Sequence, residues 1–153
     1  MGAVLAGTVY AGCRRMIRAR LTFPANSDAA KRRAPAVPAP LEAQRPEPRP
    51  GEVLARAHAI GVGKPDVLFR TGVYRWMPPL PAIPGAEMTG HVEAVGAGVT
   101  HLTPGAPVLV YHLAGGCYAD YSSVPPSGVT PLPPAIDLDD AVSIPNYQVA
   151  YAL

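Results

Sequence analysis

Histidines and cysteines are the side chains of this sequence best able to bind a transition metal. They are His58, His91, His101 and His112, together with Cys13 and Cys117. A zinc site needs three or four nitrogen and sulfur ligands, and the histidines show no paired short spacing. His112 and Cys117 could meet across a glycine turn, but two ligands are too few. The spacing therefore predicts no metal site, and we favour a strand-surface histidine beside a buried thiol.

The acidic residues and hydroxyl groups form no recognisable catalytic set. Asp139 and Asp140 are adjacent, so their side chains diverge on a helix and do not make an acid–base pair. No Ser–His–Asp or Cys–His arrangement follows from the order of these residues. Glu87 is open to two interpretations, as a buried carboxylate within a hydrogen-bond network or as an ion pair at a strand end.

Gly96-Ala97-Gly98 is the nearest match to a dinucleotide-binding turn. Such a turn needs G-x-G-x-x-G between a strand and a helix, because backbone amides at the helix N-terminus must approach the pyrophosphate. The segment lacks the third glycine and leads towards another strand. It is therefore predicted to be a β-turn, and no Rossmann domain is expected within this sequence.

Composition limits the elements that would position these side chains. The 153 residues are enough for one domain, and 48% hydrophobic against 16% charged residues can fill a core, which excludes a wholly disordered chain. The 15 glycines and 20 prolines argue against a helical bundle and for short strands joined by turns. Two cysteines exclude a disulfide scaffold. No apolar run approaches the ~18 residues of a membrane helix.

Charge is distributed unevenly along the chain. Residues 1–50 hold nine of the 13 basic residues and three of the 11 acidic ones, so this third carries +6 and the remainder −4. A nucleic-acid interface would need positive charge on a folded surface with aromatic side chains that stack on bases. Tyr10 and Phe23 are the only aromatics of this third, and the composition therefore argues against nucleic acid as a partner.

Residues 1–45 are predicted to be a disordered or extended segment. Seven prolines between Pro24 and Pro50 favour an extended tether. The preceding stretch is a poor signal peptide, because its apolar part precedes the arginines, whereas a mitochondrial presequence fits the arginines and missing acids. The start could also be misplaced, with Met16 opening an edge strand. We favour a cytoplasmic protein, with a mitochondrial one as the alternative.

Four segments after residue 45 have the pattern of short strands. They are Val53–Ala59, Met88–Val95, Pro107–Tyr111 and Tyr118–Val124. In the first segment the odd-numbered residues face one side, and Leu54, Arg56 and His58 face a wetter one. Residues 74–84 contain four prolines and must be a loop. Closely spaced strands with glycine turns predict a mainly β fold, a small barrel or sandwich with short helices.

Two helical segments are expected beside these strands. Pro65–Arg70 can form a helical turn, because proline suits a first helical position, and Gly72 would close it in the left-handed conformation. A second helix would begin at Leu138, with Asp137 at its start and acidic residues in its positively charged first turn. This helix would meet Pro145, where we expect a bend.

Five short motifs occur in order along residues 46–153, at the spacing that is characteristic of a known family. They are PEPRPGEVLARAHAIGVGKPD (46–66), RTGVY (70–74), PGAEMTGHVEAVGAGV (84–99), GGCYADYSSVP (115–125) and AYAL (150–153). With them residues 46–153 resemble the medium-chain dehydrogenase/reductase superfamily, and within it the zinc-independent quinone oxidoreductases. The resemblance implies a GroES-like, alcohol dehydrogenase-type β-barrel over 46–153. Complete members continue from the AYAL helix into a Rossmann domain that holds NADPH.

The sequence departs from this family at several positions. Zinc-dependent relatives have a cysteine where Gly63 stands and a histidine where Ala86 stands, so the resemblance implies that the usual zinc is absent. Many quinone oxidoreductases have asparagine at the position of Gly63 and threonine at that of Val149, and the usual Gly-Asp turn is Gly105-Ala106 here. Each change removes a polar side chain.

Four positions are candidates for lining the substrate and cofactor cleft: Gly63, Asp66, Tyr74 and Val149. Asp66 matches the family pattern and could orient the active-site loop, or it could be a plain helix cap. Tyr74 also matches and could line the substrate pocket, or it could be simple packing. No residue of this sequence is assigned a certain catalytic role.

The resemblance implies an enzyme that passes hydride from NADPH to a quinone or enone between two domains. This chain would supply one wall of that cleft, would need a separate Rossmann domain, and would be inactive alone. A non-catalytic barrel that binds another chain is the alternative, with apolar surface favouring a homo-oligomer. A gene remnant is a third possibility, given Gly63, Ala106 and Val149. No membrane partner is expected.

Overall fold

The computed structural model describes residues 18–20, 39–41, 44–76 and 82–152. Strand β1 (Arg18–Arg20) pairs antiparallel with β2 (Ala39–Leu41) in a separate two-stranded sheet. The sequence left open a strand that begins at Met16, and the described part of that stretch is β1. The remaining expectations for residues 1–43, including most of the proline-rich tether, lie outside the described residues.

The body of the fold is a five-stranded antiparallel sheet. Its spatial order is β6-β3-β4-β5-β7, and all four pairings are antiparallel. The strands are β3 (Val53–Ile60), β4 (Glu87–Val95), β5 (Pro107–Tyr111), β6 (Tyr121–Val124) and β7 (Val129–Pro131). The predicted mainly β class is confirmed, and a single 3₁₀ turn joins β6 to β7.

The alternation expected along β3 holds at Arg56 and His58 and is wrong at Leu54. Arg56 and His58 are exposed, as predicted, but Leu54 is buried together with both of its neighbours. The pairing of β3 with β4 shifts in register between Leu54 and Ala55. Such an irregularity breaks the two-residue period of a strand, so consecutive residues can be buried there.

One apolar core underlies the sheet and its connecting turns. The central strands and the hairpin turns contribute its buried members, which are Val53, Ala55, Met88, Val92, Val99, Leu102, Val108, Val110, Cys117, Val124 and Val129. Several of these side chains are β-branched, which suits a pleated, buried surface. The core therefore fixes the relative position of β3, β4 and β5, whose ends carry the site.

Three short helices complete the described fold. Helix α1 (Lys64–Arg70) is closed by Gly72, whose φ of 69° is left-handed as predicted. Helix α2 (Leu138–Ala141) begins where expected, and the carboxylate of Asp137 accepts a hydrogen bond of 2.8 Å from the amide of Asp139. No helix among the described residues is long and apolar enough to cross a membrane.

The expected bend at Pro145 is a complete break. Helix α3 (Ile144–Ala152) is a separate element, and Pro145 is its second residue. Proline lacks the amide needed inside a continuing helix but fits the first turn of a new one. Helix α2 therefore ends at Ala141, and α3 starts beside the loop that follows β3.

The strand predicted at Tyr118–Val124 is three residues shorter than expected and begins at Tyr121. The reason lies in the loop before β4. The amide of Cys117 donates to the carbonyl of Gly85 at 3.0 Å, and the amide of Tyr118 donates to that of Pro84 at 2.9 Å. These backbone groups are used by the loop, so sheet pairing starts later.

Arg45 ties the start of the domain to the sheet. Its guanidinium lies 2.8 Å from the carboxylate of Glu93 and 4.5 Å from the ring centroid of Tyr121. A salt bridge and a cation–π contact hold this residue on the surface of the sheet. Arg45 itself therefore contacts the folded part. The domain boundary predicted between residues 45 and 46 stays a prediction.

Candidate functional site

A small pocket opens where α1 meets the loops before β4 and after β5. Its empty volume, which includes solvent-open space at the mouth, is about 190 Å³. The lining combines aromatic and aliphatic side chains with one carboxylate and several small residues, which are Pro65, Asp66, Phe69, Tyr74, Gly85, Ala86, Leu113 and Gly115. Concave, mainly apolar surfaces with few polar groups are typical of small-molecule sites.

Asp66 sits at the base of this pocket and caps α1. Its Oδ2 accepts a 2.8 Å hydrogen bond from the backbone amide of Gly63, and the residue is only 6% exposed. Three residues separate the two partners, as in a capping box. The helix-cap interpretation of Asp66 therefore applies, and the same bond fixes the loop between β3 and α1.

Burial raises the pKa of the Asp66 carboxyl group. Hydrogen bonds from the amide of Gly63, the hydroxyl of Tyr118 and the amide of Gly85 act in the opposite direction. Each of these donors stabilises the charged form, whereas loss of water destabilises it. Asp66 is consequently a buried acceptor, and the 2.8 Å bond from the amide of Gly63 holds its Oδ2 in place.

Glu87 is a second buried carboxylate, at the start of β4. It is 6% exposed, and its Oε1 accepts a 2.7 Å hydrogen bond from Nδ2 of Asn146 on α3. Burial raises its pKa, the bond from Asn146 lowers it, and the charge of Asp66 raises it again. Of the two interpretations of Glu87, the structure shows the buried hydrogen-bonded one.

Gly61 leaves the room that Glu87 occupies. A side chain at Gly61 would overlap the carboxylate of Glu87, and the amide of Gly61 donates to the carbonyl of Glu87 at 3.1 Å. The end of β3, the start of β4 and the start of α3 therefore meet at this carboxylate. Glu87 links the floor of the pocket to α3.

Cys117 lies deep in the same region. The side chain is fully buried, and burial, with the nearby charges of Glu87 and Asp66, raises the pKa of its thiol to about 12. His112, which the sequence placed across a hairpin from Cys117, directs its Nδ1 to the carbonyl of Gly115 at 2.9 Å. The thiol is therefore a core group, without the low pKa that makes cysteines reactive.

Cys117 should resist thiol reagents while the protein is folded. In a Cys13→Ser variant at pH 8, we expect Ellman's reagent to release less than a tenth of a thiol equivalent within minutes, because the thiolate is the reacting form. Unfolding in urea should release one equivalent. Rapid reaction of the folded variant would show that the thiol is accessible and ionised.

Aromatic side chains form one wall of the pocket. The ring centroids of Phe69 and Tyr74 are 6.3 Å apart, and those of Tyr74 and Trp76 are 5.6 Å apart at 70°. These distances are typical of tilted and edge-to-face aromatic pairs. Phe69 is buried while Trp76 is largely exposed, so the row leads from the core to the surface of the protein.

The four predicted cleft residues do not all meet. Asp66 and Tyr74 line the pocket, and Gly63 lies beside it through its hydrogen bond to Asp66. Val149 is on the exposed surface of α3, away from the lining residues. A cleft role for any of the four stays a prediction.

Asn146 is the site residue that the sequence analysis did not single out. It is 59 positions from its partner Glu87, and it lies at the start of α3, from which its amide reaches the carboxylate beside the pocket. Leu113 was likewise not selected, although it lines the pocket. The sequence signal that could have identified Leu113 was its position after β5, beside the turn at Gly115.

The predictions for metal and dinucleotide sites can be compared with the structure of the described residues. Among them, no three histidine, cysteine, aspartate or glutamate side chains could hold a metal ion together. Gly96–Gly98 is a turn between the antiparallel strands β4 and β5, as predicted. A pyrophosphate needs a turn that leads into a helix N-terminus, so this turn does not fit a dinucleotide.

Comparisons with known proteins agree on one family. The model of the alcohol dehydrogenase GroES-like domain matches residues 49–134. The quinone oxidoreductase of Rattus norvegicus is 33% identical over 110 residues, which are 71% of this chain and 33% of that protein. The synaptic vesicle membrane protein VAT-1 homolog of the same species is 36% identical over 118 residues, 76% of this chain and 27% of that protein.

A solved structure extends this similarity to three dimensions. The Escherichia coli quinone oxidoreductase, crystallised with NADPH, matches with a TM-score of 0.71 and 29% identity over 83% of this chain and 36% of that one. The chain spans about a third or less of the length of the curated relatives that it matches.

Proposed function

We propose a function for this chain, which belongs to the alcohol dehydrogenase GroES-like domain family and is similar to the quinone oxidoreductases of the medium-chain dehydrogenase/reductase superfamily. In this proposal its pocket binds a quinone or enone. It would form one wall of a zinc-independent, NADPH-dependent reductase. The observation that carries this proposal is the lining of the pocket, an aromatic wall facing a single buried carboxylate.

The pocket matches a flat, conjugated substrate. Tyr74 and Leu113 border its opening and Phe69 its interior, so a quinone ring would exchange water for aromatic and aliphatic contacts. Asp66 is buried and held by its bond from the amide of Gly63, so its carboxylate would keep one position in the pocket. These residues would bind and orient the substrate and exclude water from one of its faces.

Zinc independence is supported by the residues at the two ligand positions of zinc-dependent relatives. Gly63 and Ala86 have no side-chain donor atom, whereas a zinc site requires thiolate, imidazole or carboxylate ligands. The nearby carboxylates of Asp66 and Glu87 each already accept a hydrogen bond, from the amide of Gly63 and from Asn146. The buried carboxylates here serve packing and hydrogen bonding in this proposal.

NADPH would supply the hydride in such an enzyme. The described residues do not fit its pyrophosphate, since the sheet is antiparallel and the glycine turn leads to a strand. The cofactor would therefore be held by a Rossmann domain outside the described residues, and the described residues would bind the substrate without transferring hydride. We accordingly propose that this chain is inactive alone.

Binding of menadione to the full chain tests the proposal. In a Cys13→Ser background, we expect saturable shifts of the NMR amide signals of Gly85, Ala86 and Gly115, which line the pocket. Tyr74→Ala should weaken binding about tenfold, in line with the energy of an aromatic contact. Tyr151→Ala, which removes a fully exposed tyrosine from α3, should leave the affinity unchanged.

Two results would contradict this function. No shift at millimolar menadione would show that the pocket does not bind quinones, and equal losses in the two tyrosine variants would show that binding is non-specific. The alternative function, a barrel that binds protein, is favoured by the exposed Tyr147, Val149 and Tyr151 of α3. Light scattering on the same sample would then show a self-associated chain that does not bind menadione.

A further inference from the structure

The pocket contains a buried negative charge that no basic side chain neutralises. Asp66 lines the pocket and is 6% exposed, and Glu87 beside the pocket is buried to the same extent. Among the residues that the structure describes, neither carboxylate belongs to an ion pair. A buried charge without a counter-charge is costly, so a ligand of positive charge would stabilise this region.

The effect of this charge is seen in the neighbouring groups. Burial raises the pKa of Glu87, and the charge of Asp66 raises it further. Burial also raises the pKa of the Cys117 thiol to about 12, together with the charges of Glu87 and Asp66. None of the groups that act on the pKa of these two described residues is a basic side chain. The potential around Asp66 is therefore negative, and a negative potential in a cleft attracts cations.

The basic side chains of the adjoining segment lie in solvent. Lys64 and Arg75 are both exposed, and the guanidinium of Arg75 lies 5.7 Å from the ring centroid of Trp76. Trp76 is itself largely exposed and is not among the residues that line the pocket. Solvent and salt screen charges in such positions, so these two residues leave the negative charge inside the pocket uncompensated.

Asp66 retains the capacity to accept a hydrogen bond from a ligand. Its Oδ2 accepts a 2.8 Å bond from the amide of Gly63, whereas an ionised carboxylate has about four acceptor positions. The donors that act on this carboxyl group are amides and a hydroxyl group, none of which carries a charge. An ammonium group would add the missing charge, and its hydrogen bond to a carboxylate is stronger than one between neutral groups.

The aromatic wall of the pocket suits the rest of such a ligand. Phe69 and Tyr74 line the pocket, with ring centroids 6.3 Å apart. Aromatic faces attract cations within about 6 Å of the centroid, and aromatic ligands pack well against such rings. The empty volume of about 190 Å³ is below the range of about 300–1,000 Å³ for drug-sized ligands. The ligand should therefore contain a single ring.

We propose that the pocket binds small arylalkyl amines in their protonated form. The ammonium group would donate to the carboxylate of Asp66, and the ring of the amine would contact Phe69, Tyr74 and Leu113. This activity goes beyond quinone binding and does not depend on it. An amine and a quinone would nevertheless compete, because both would occupy the same space.

Three single-ring ligands of different charge test the proposal. Benzylamine, which is protonated at pH 7, neutral benzyl alcohol and anionic benzoate are titrated into the full chain. Binding is followed by the NMR amide signals of Gly85, Ala86 and Gly115, which line the pocket. We expect benzylamine to bind about tenfold more tightly than benzyl alcohol, as for a charge-assisted hydrogen bond reduced by dehydration of the ammonium group. Benzoate should not shift these signals, and equal affinities for the amine and the alcohol would overturn the proposal.

Asp66→Asn removes the charge while nearly keeping the shape of the side chain, and Asp140→Asn is its matched control. Asp140 is exposed on α2, so its replacement changes the net charge equally, away from the pocket. Asp66→Asn should reduce the preference for benzylamine to within about twofold, and the control should keep it. A preference that survives in a folded Asp66→Asn variant would overturn the proposal.

A second measurement needs no variant, and it decides the location of the amine if Asp66→Asn does not fold. In the parent chain, the methylene protons of bound benzylamine should show nuclear Overhauser effects to the ring protons of Phe69 and Tyr74. Binding without these effects would place the amine elsewhere on the protein and would contradict the proposal.

The outcomes are distinguishable from those of the proposed function. If benzylamine shows the expected preference and menadione does not bind, the amine site stands and the quinone proposal fails. If menadione binds and benzylamine binds no more tightly than benzyl alcohol, the quinone proposal stands and the amine site fails. If both bind, benzylamine should displace menadione, and simultaneous binding of the two would overturn the assignment of the amine to this pocket.

Discussion

Replacing Gly90 with alanine is expected to destabilise the protein by about 3 kcal/mol or more, and the variant should be largely unfolded if the parent stability is at the low end for small domains. Gly90 lies within β4, opposite Ala57 on one side and Val108 on the other. A methyl group at this position would overlap the backbone carbonyl of Arg56. The obstacle is backbone in the sheet centre, so no side-chain rotation relieves it.

Urea denaturation followed by circular dichroism measures this effect, with Gly98→Ala as the control. Gly98 has a φ of 88° in the turn after β4, and no atom lies within 4 Å of the position of an added methyl group. Its replacement should cost only about 1 kcal/mol of conformational strain. If Gly90→Ala and Gly98→Ala were equally stable, the close approach of β3 to β4 at Gly90 would be contradicted.

The strands could be predicted from the sequence because their signals are local. The bounds of β5 match the expectation in full, and Gly72, Gly96–Gly98 and Asp137 form the turns and cap that their residue types favour. Each depends on interactions across a few residues, which periodicity and turn chemistry report directly. The family resemblance, carried by motifs between residues 46 and 153, agrees with the match to the GroES-like domain.

The floor of the site could not be predicted because it is assembled from distant segments. Asn146 and Glu87 are 59 positions apart, and their contact depends on the helix break at Pro145. The sequence also could not show that the loop 84–85 takes the backbone groups of Cys117 and Tyr118. Long-range packing determines both arrangements, and no periodic pattern in the sequence predicts them.

The same limit applies to the role of Gly63. The sequence shows only that an asparagine common in similar proteins is missing at this position. The structure adds that the amide oxygen of Asn146, from another helix, would lie 3.8 Å from a Cβ atom at this position. The absence of a side chain at one position can therefore be interpreted as a change in local shape and polarity once the neighbouring residues are known.

Glu87→Gln is expected to increase the free energy of unfolding at pH 8 and to flatten its dependence on pH. Burial raises the pKa of Glu87 above its ordinary value of 4.5, and the neighbouring charge of Asp66 adds to the effect. The folded protein therefore holds this proton more tightly than the unfolded chain. The resulting stability is fully present below pH 4.5 and is lost as the pH rises through the folded-state pKa.

Glutamine keeps the contacts that the carboxyl group makes. Its side-chain oxygen can still accept from Nδ2 of Asn146, and its amide group would donate towards Asp66 in place of a like charge. Every unit by which the pKa is raised corresponds to about 1.4 kcal/mol of destabilisation of the charged form. The glutamine variant has no charged form and therefore avoids this destabilisation. Glu87→Ala should instead cost about 2 kcal/mol, because the amide of Asn146 loses its partner.

Glu52→Gln is the matched control, with the opposite sign. The pKa of Glu52 is lowered by the amide of Arg49, which donates to Oε2 at 3.1 Å, and by the hydroxyl of Ser123 at 2.8 Å. Its stabilisation is present above pH 4.5 and lost in acid, so the control variant should be less stable than the parent chain at pH 8. Urea titrations of the three proteins between pH 4.5 and pH 8 give both slopes. A Glu87→Gln variant that is less stable at pH 8, or whose slope is unchanged, would show that water or a cation already compensates the charge of Glu87.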